Sequence, residues 1–273
     1  MPFIERILFP VDFSPACVAT AAYVKRAASL LRAKVTLLHV VDLTRFDAMQ
    51  QAVRIPRECE QDHIDGGRDH LNAFLSAEFP SAHAARLVAV GEPAAQIAQA
   101  ARDGGFGLII MPTHAGIFRK FLLGSTTAKV LDEADCPVLT GRHSETIAPR
   151  PLDHREWLCA VGLGEDAARV LRFAAEGAAA THSRLCILHT LQPKSAAREA
   201  IEQSIAALQR SLGTPASVSI TAGPPKQALL DAALHADADV LIIGRADPTS
   251  AHGRMRDLTY SVIRDSPCPV LSV

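Results

Sequence analysis

The chain has 273 residues, of which 48% are hydrophobic and 21% are charged, and its formal net charge at pH 7 is −1. This balance is typical of a folded globular protein, and it gives no indication of a nucleic acid partner. Because Glu5 and Arg6 interrupt the start and no apolar stretch approaches bilayer length, we predict a cytoplasmic protein without a signal peptide or membrane span.

Short apolar strands alternate with helices along the first half of the chain. Ser14 followed by Pro15 is a natural cap and first-turn pair for the first helix. A polar stretch from Asp42 to Gly67 interrupts the alternation. The predicted order is strand, helix, strand, helix, strand, helix, strand, helix and strand, over residues 4–11, 15–31, 35–41, 58–78, 86–90, 93–102, 108–111, 125–132 and 137–139.

The second half repeats the first. Cys136-Pro137-Val138-Leu139 returns as Cys268-Pro269-Val270-Leu271 at an offset of 132, and Leu37-Leu38-His39 returns as Ile187-Leu188-His189 at an offset of 150. The drop of 18 between the offsets indicates an insertion around Asp42 to Gly67 that the second copy lacks. A charged, proline-containing segment separates the copies, so we predict domains at 1–147 and 148–273.

Strands that are apolar throughout and alternate with helices indicate a parallel sheet that is covered on both faces. We therefore predict an α/β protein with two tandem, doubly wound domains of five strands each. Ligands of such sheets bind at the carboxyl ends of the strands, where the strand order reverses. The loops concerned follow the first, second and fourth strands of each copy, at Asp12, Val40 and Pro112 and at Gly162, Thr190 and Gly244.

At these loops the chain resembles the universal stress protein family, in a tandem two-domain form that covers nearly all of its length. The segments that carry the resemblance are 7–14, 37–40, 109–114, 122–125 and 136–139. The resemblance implies the adenine nucleotide alpha hydrolase-like fold, and a pseudo-twofold pairing of the two domains through their last strands. Those strands, Cys136 to Thr140 and Cys268 to Val273, are apolar edges that covering each other would protect. Whether two such chains associate into a homodimer is left open by the sequence.

Nucleotide-binding members of this family carry Gly-x-x-Gly, nine further residues and Gly-Ser or Gly-Thr after the fourth strand. Glycines let the backbone approach phosphates, and the last pair opens a helix whose free amides face the anion. The first copy keeps Gly124-Ser125 but has Pro112 and Ala115 at the earlier glycine positions. Gly116 can serve as the second glycine of the pattern, in place of Ala115, only if the loop that follows it is one residue shorter.

The resemblance also assigns Asp12 as the acceptor for the base, and the Val40 backbone as a contact to its edge. It thus implies ATP or a related adenine nucleotide in domain 1. The candidate binding residues lie at the strand ends and in the loop after the fourth strand: Pro10, Val11, Asp12, Val40, Met111, Pro112, His114, Gly116, Gly124, Ser125, Thr126 and, from the second copy, Gly244.

The second copy departs further from the family pattern. Gly162 replaces the aspartate, and Arg256-Asp257 replaces Gly124-Ser125, so that an acidic group would repel phosphate at the helix start. A basic cluster could hold an anion instead, or reach across to the first copy; it consists of Arg245, His252, Arg254 and Arg256. We interpret the segment from Gly162 to Ala167 as a glycine-rich turn, not a dinucleotide fingerprint, since no acidic residue ends the second strand.

Metal and catalytic patterns are not found in the sequence. His63 and His70 lie seven residues apart, but no cysteine or carboxylate spacing completes a metal site around them. We expect His39 and His189 to be hydrogen-bonded core residues. The six cysteines form no CxxC pair and are interpreted as reduced, interior thiols: Cys17, Cys59, Cys136, Cys159, Cys186 and Cys268.

Two functions follow from these observations. The sequence has no nucleophile elbow, no Walker lysine and no His-x-Gly-His motif, so we predict a protein that is not an enzyme. The favoured function is a stress-linked binder of ATP. The alternative is a nucleotide-independent interaction or signalling module of the same fold, which Pro112 favours and which would act through the insertion.

Overall fold

The structure is a computed structural model that describes residues 3–43, 58–113, 123–141, 156–191, 198–245 and 253–273. The described residues form two compact units: residues 3–139 form the N-terminal unit, and residues 140–141 and 156–273 form the C-terminal unit. The predicted domain boundary between 147 and 148 lies outside the described residues. Each unit alternates strands and helices, so the predicted α/β class is confirmed.

The first half of the chain contains five strands and four described helices, and the last two residues of its fifth strand are grouped with the C-terminal unit. Its elements are β1 (Arg6–Pro10), α1 (Pro15–Leu31), β2 (Lys34–Val41), α2 (Glu58–Ala73), β3 (Ala84–Val90), α3 (Pro93–Asp103), β4 (Leu108–Pro112), α4 (Ser125–Glu133) and β5 (Val138–Gly141). The strand order is β3-β2-β1-β4-β5, and β1 pairs in parallel with both β2 and β4. The order therefore reverses between β1 and β4.

The C-terminal unit repeats this arrangement. Its elements are β6 (Glu156–Ala160), α5 (Ala167–Thr181), β7 (Arg184–Leu191), α6 (Arg198–Leu212), β8 (Ser217–Ala222), α7 (Pro225–His235), β9 (Val240–Ile243), α8 (Gly253–Asp265) and β10 (Val270–Ser272). The strand order is β10-β9-β6-β7-β8, with all four pairings parallel. The reversal falls between β6 and β9.

Strands β1, β4, β6 and β9 are mostly buried, because helices cover both sheet faces. Fully buried side chains include Ile7, Leu8 and Phe9 in β1, and Ile187 and Leu188 in β7. The predicted cap of α1 is confirmed, since the Ser14 hydroxyl accepts the Cys17 amide and Pro15 begins the helix. The repeat extends to backbone conformation.

Corresponding turns in the two units share unusual dihedral angles. Gly91 and Gly223, at the offset of 132, have φ angles of 138° and 132°. Arg32 and His182, at the offset of 150, end their helices in the left-handed conformation with φ angles of 55° and 54°. Glycine is required at positions 91 and 223, because residues with a side chain rarely adopt such backbone angles.

The structure corrects the expected end of the helix after β2. The helix predicted over 58–78 ends at Ala73, and turns follow in which Leu75 has a φ angle of 50°. The second copy has a helix at the same place, α6 between β7 and β8, as the predicted repeat of the element order requires. The additional residues of the first copy lie mainly in the connections that flank α2.

Five of the six cysteines are described with their side chains, and all five are free thiols. Cys17, Cys159 and Cys268 are buried, whereas Cys136 and Cys186 are only partly buried. The side chain of Cys59 lies outside the described residues. Within the described part of the chain, no helix is long and apolar enough to cross a membrane.

Candidate functional site

A cavity of about 340 Å³ lies in the N-terminal unit, at the carboxyl ends of β1 and β4 where the strand order reverses. Nine of the predicted site residues line it: Pro10, Val11, Asp12, Val40, Met111, Pro112, Gly124, Ser125 and Thr126. His114 and Gly116 lie outside the described residues. Gly244 lines a separate cavity in the C-terminal unit.

Sequence reasoning missed six further residues of this cavity. They are Cys17, Leu38, His39, Pro93, Ile97 and Thr127. Pro93 and Ile97 are four residues apart on α3, which places them on one helix face. The sequence therefore predicts that Pro93 and Ile97 lie together. That α3 borders the cavity is shown only by the packing.

Asp12 is exposed at the cavity, and its carboxylate is oriented by two donors. Oδ1 accepts the Ser14 amide at 3.0 Å and the Cys17 thiol at 3.1 Å. The Ser14 hydroxyl in turn accepts the Cys17 amide at 3.4 Å. These bonds fix the turn between β1 and α1, so the carboxylate has a defined position beside the cavity.

The Cys17 thiol is held in its protonated form. Burial, and then the negative charge of Asp12, raise its pKa from 9.0 to about 12. Since the thiolate is the nucleophilic form of cysteine, Cys17 is a hydrogen-bond donor and not a nucleophile near neutral pH.

Phe13 connects the turn after β1 to helix α2. Its backbone has a φ angle of 63°, which is unusual for a bulky residue. Its ring stacks on His70 at a centroid distance of 3.9 Å, lies 4.3 Å from the ring of His39 and meets Phe74 edge-on at 5.2 Å. This ring cluster, formed by Phe13, His39, His70 and Phe74, packs α2 against the loop that carries Asp12.

The two equivalent histidines make the predicted kind of hydrogen bond. Nδ1 of His39 lies 3.0 Å from the Val11 carbonyl oxygen, and Nδ1 of His189 lies 2.8 Å from that of Val161. Both are only partly buried and each lines the cavity of its own unit, so the expectation that they are core residues is wrong. Among the described residues there is no group of three or more metal-binding side chains.

Helix α4 begins at the cavity without a side-chain cap. Gly124 is its N-cap residue, with φ −61° and ψ 143°. The Gly124 amide donates to the Thr113 carbonyl at 2.8 Å, and the Thr127 hydroxyl donates to the Pro112 carbonyl at 3.1 Å. These bonds attach the helix start to the end of β4, and leave the first-turn amides of Ser125 and Thr126 without a capping side chain.

Glu92 caps helix α3 beside the cavity residue Pro93. Oε2 accepts the Ala95 amide at 2.8 Å, and Oε1 accepts Nζ of Lys129 at 2.8 Å. The hydrogen bond from Lys129, followed by that from Ala95, lowers the pKa of the Glu92 carboxyl group. This pair links α3 to α4, the two helices that border the cavity.

The C-terminal unit has a cavity of about 360 Å³ at its own point of reversal. Gly162 lines it where the N-terminal unit has Asp12, and Gly244 lines it where that unit has Pro112. Asp166, which has no counterpart in the first cavity, is also in the wall. Of the predicted basic cluster, His252 and the side chains of Arg254 and Arg256 lie outside the described residues.

Comparison with known proteins identifies the same family in both halves of the chain. The Universal stress protein family matches residues 4–142 and 155–273. A universal stress protein from Methanocaldococcus jannaschii, MJ0577, is 27% identical over 150 residues, which are 50% of this chain and 93% of that protein.

Two solved structures resemble the whole chain. A universal stress protein from Archaeoglobus fulgidus has a TM-score of 0.75 at 22% identity, with 98% of this chain and 95% of that chain covered. A putative universal stress protein from Pseudomonas aeruginosa has a TM-score of 0.66 at 20% identity, with 99% and 93% covered. These likenesses support the tandem arrangement of the fold.

Proposed function

Because the chain belongs to the universal stress protein family, with two tandem copies of its domain, we propose that it binds ATP or a related adenine nucleotide in the N-terminal cavity. We propose further that it acts in the stress response by binding and not by catalysis. The main observation in support is that an exposed Asp12 carboxylate and the uncapped start of α4 line the same cavity.

The base would lie at the end of the cavity that Asp12 and Val40 form. Ser14 and Cys17 both donate to Oδ1 of Asp12, and both hydrogen bonds help orient the carboxylate. A carboxylate accepts from the amino group of adenine, and the Val40 backbone offers further polar groups beside it. The apolar walls at Leu38, Ile97 and Met111 suit a flat aromatic ring.

The phosphates would lie at the start of α4. A helix N-terminus carries partial positive charge, and its free amides donate to anions. Pro112, which stands at the family's first glycine position, has no amide hydrogen, so this side of the loop has one donor fewer. We therefore expect weaker phosphate binding than a complete glycine motif would provide.

Calorimetric titration with ATP tests the base contact. Asp12→Asn should weaken ATP binding about tenfold, as expected for a lost hydrogen bond to a charged acceptor. Asp62→Asn, which removes an exposed carboxylate on α2, should leave it unchanged. Absence of saturable binding at millimolar ATP would reject nucleotide binding and favour the interaction module.

Ser125→Pro tests the phosphate contact. Proline is tolerated in the first helical turn, and Gly124 already has the extended conformation that proline requires of its predecessor. The variant removes one amide hydrogen, so it should weaken binding of ATP but not of adenosine. Ser125→Ala, which keeps the amide, should behave as the wild type; equal losses in the two variants would contradict the role of the amide.

We also propose that the two domains, 1–147 and 148–273, pair within one chain through their last strands. Support comes from the apolar character of Cys136 to Thr140 and Cys268 to Val273, and from the place of β5 and β10 at one end of the strand order of each unit. Light scattering of the purified chain distinguishes a monomer from a homodimer. The cytoplasmic location stays a prediction.

A further inference from the structure

The C-terminal cavity has the size of the N-terminal one but a different polar chemistry. Its volume is about 360 Å³, and no lysine or arginine is among the described residues that line it. Most of the wall is apolar and comes from Leu163, Val170, Leu188, Leu229, Ile243 and Val262. Such a wall favours an apolar ligand group, and the few polar side chains in it decide specificity.

Asp166 supplies the negative charge of this wall. It stands at the N-cap position of α5, yet its side chain accepts no capping hydrogen bond from the helix. A Cβ atom placed on Gly244 would lie only 2.5 Å from Oδ2 of Asp166. The carboxylate therefore extends across the cavity to the end of β9, into space that exists because residue 244 has no side chain.

This contact changes the interpretation of Gly244. The sequence pattern places it at the family's first glycine position, where a glycine allows close approach of a phosphate. In the structure a carboxylate of this same chain occupies that approach. The equivalent positions of the N-terminal unit hold Ala16 and Pro112, so the first cavity has no such group.

Among the described residues that line the cavity, Asp166 is the one with a formal charge, and a carboxylate favours a cation over an anion. Among the described residues none donates a hydrogen bond to the partly buried Asp166 carboxylate. Asp257, which is exposed, precedes the lining residues Leu258 and Thr259 and adds a second negative charge nearby. His189, the other titratable lining residue in the described part, uses Nδ1 at the Val161 carbonyl. A partly buried carboxylate without a partner is stabilised by an opposite charge.

We propose that the C-terminal cavity binds a small amphipathic cation, with its apolar group against the leucine, isoleucine and valine wall and its ammonium group on Asp166. This site is separate from the proposed nucleotide site in residues, ligand class and charge. The second copy is then a binding domain for a cationic ligand, in contrast to the anionic ligand proposed for the first copy.

Phenethylammonium, phenethyl alcohol and phenylacetate test the proposal as cationic, neutral and anionic probes of similar shape. Saturation-transfer NMR titrations of the full chain should show saturable binding of phenethylammonium, at least tenfold tighter than of the other two. Equal affinity for the three probes, tightest binding of phenylacetate, or no saturable binding would overturn the proposal.

Three variants locate the cation. Asp166→Asn has the same shape and should lower the affinity for phenethylammonium to that for the alcohol. Glu165→Gln removes the same charge from the neighbouring exposed residue and should leave the affinity unchanged. Gly244→Ala keeps every charge but displaces the carboxylate, so it should weaken binding too. An equal loss in Glu165→Gln would show that only overall charge matters and would overturn the proposal.

Thermal unfolding of each variant identifies those that remain folded, and Asp166→Asn, the least disruptive, decides the outcome. ATP titration of the same proteins keeps the two proposals distinguishable. Asp166→Asn should leave ATP binding unchanged, and Asp12→Asn should leave phenethylammonium binding unchanged.

Discussion

The Cys17 thiol donates a hydrogen bond to Oδ1 of Asp12 across 3.1 Å, in the first turn of α1. The same oxygen accepts the Ser14 amide. A buried thiol therefore helps to position the exposed carboxylate that we propose for base recognition. The pairing also ties the ionisation of Cys17 to the stability of the fold.

Stability should fall at alkaline pH because of Cys17. Its pKa is raised from 9.0 to about 12 in the folded protein, so above pH 9 the unfolded chain loses a proton that the folded chain keeps. The contribution of the protonated Cys17 thiol to the unfolding free energy is therefore fully present below about pH 9, and it is lost as the pH rises towards 12. Cys17→Ala should flatten the fall in unfolding free energy by up to about 1.4 kcal/mol per pH unit, as measured by urea denaturation at several pH values.

Cys159 provides the comparison for that measurement. Burial raises its pKa as well, so Cys159→Ala should flatten the same curve independently, and the double variant should flatten it further. Parallel curves for the wild type and Cys17→Ala would show that the thiol does not titrate as the structure requires.

The ring pair of Phe13 and His70 should stabilise the contact between α2 and the Asp12 loop. A double-mutant cycle with Phe13→Leu and His70→Leu should give a coupling energy of about 0.5–1.5 kcal/mol, the usual value of a stacked ring pair. The same cycle with His63→Leu serves as the control, since no ring contact joins that exposed histidine to Phe13 among the described residues. Equal coupling in the two cycles would refute a specific stack.

Arg86 should hold the turn that follows α2. Its guanidinium donates to the carbonyl oxygens of Leu71 at 2.9 Å, Phe79 at 2.9 Å and Phe74 at 3.3 Å. Lysine cannot reproduce this fork, so Arg86→Lys should lower the unfolding free energy by about 1–3 kcal/mol. Hydrogen exchange over residues 71–79 should become faster.

Arg184→Lys is the control for Arg86→Lys. Arg184 pairs with Glu156 at 2.8 Å, but its side chain is 81% exposed, and exposed ion pairs contribute little. The control should therefore change stability much less. A similar loss in both variants would argue against the clamp at the end of α2.

Glu92 should stabilise α3 at neutral pH. Glu92→Ala removes the acceptor of the Ala95 amide and should cost about 1 kcal/mol. Because the pKa of Glu92 is lowered from 4.5, its contribution is present above pH 4.5 and is lost as pH falls below that value. Urea denaturation should therefore show a smaller difference in unfolding free energy between the wild type and Glu92→Ala at acidic pH than at neutral pH. Lys129→Gln, which keeps the cap, should have the smaller effect at neutral pH.

The sequence by itself determined the fold class, the two copies and the strand ends at which both cavities lie. These properties follow from local patterns and from self-similarity: apolar strands alternate with helices, and Ser14-Pro15 caps α1 through neighbouring residues. Nine of the twelve predicted site residues line one cavity for the same reason, because the carboxyl ends of parallel strands meet at one edge.

Only the tertiary structure decided which side chains meet across those loops. Phe13 and His70 are far apart in the chain, as are Asp166 and Gly244, and no spacing rule connects them. Their contacts depend on how helices pack on the sheet, and on the space that a missing side chain leaves. The glycine that the sequence motif assigns to a phosphate lies beside a carboxylate, because packing and not the motif determines what occupies that space.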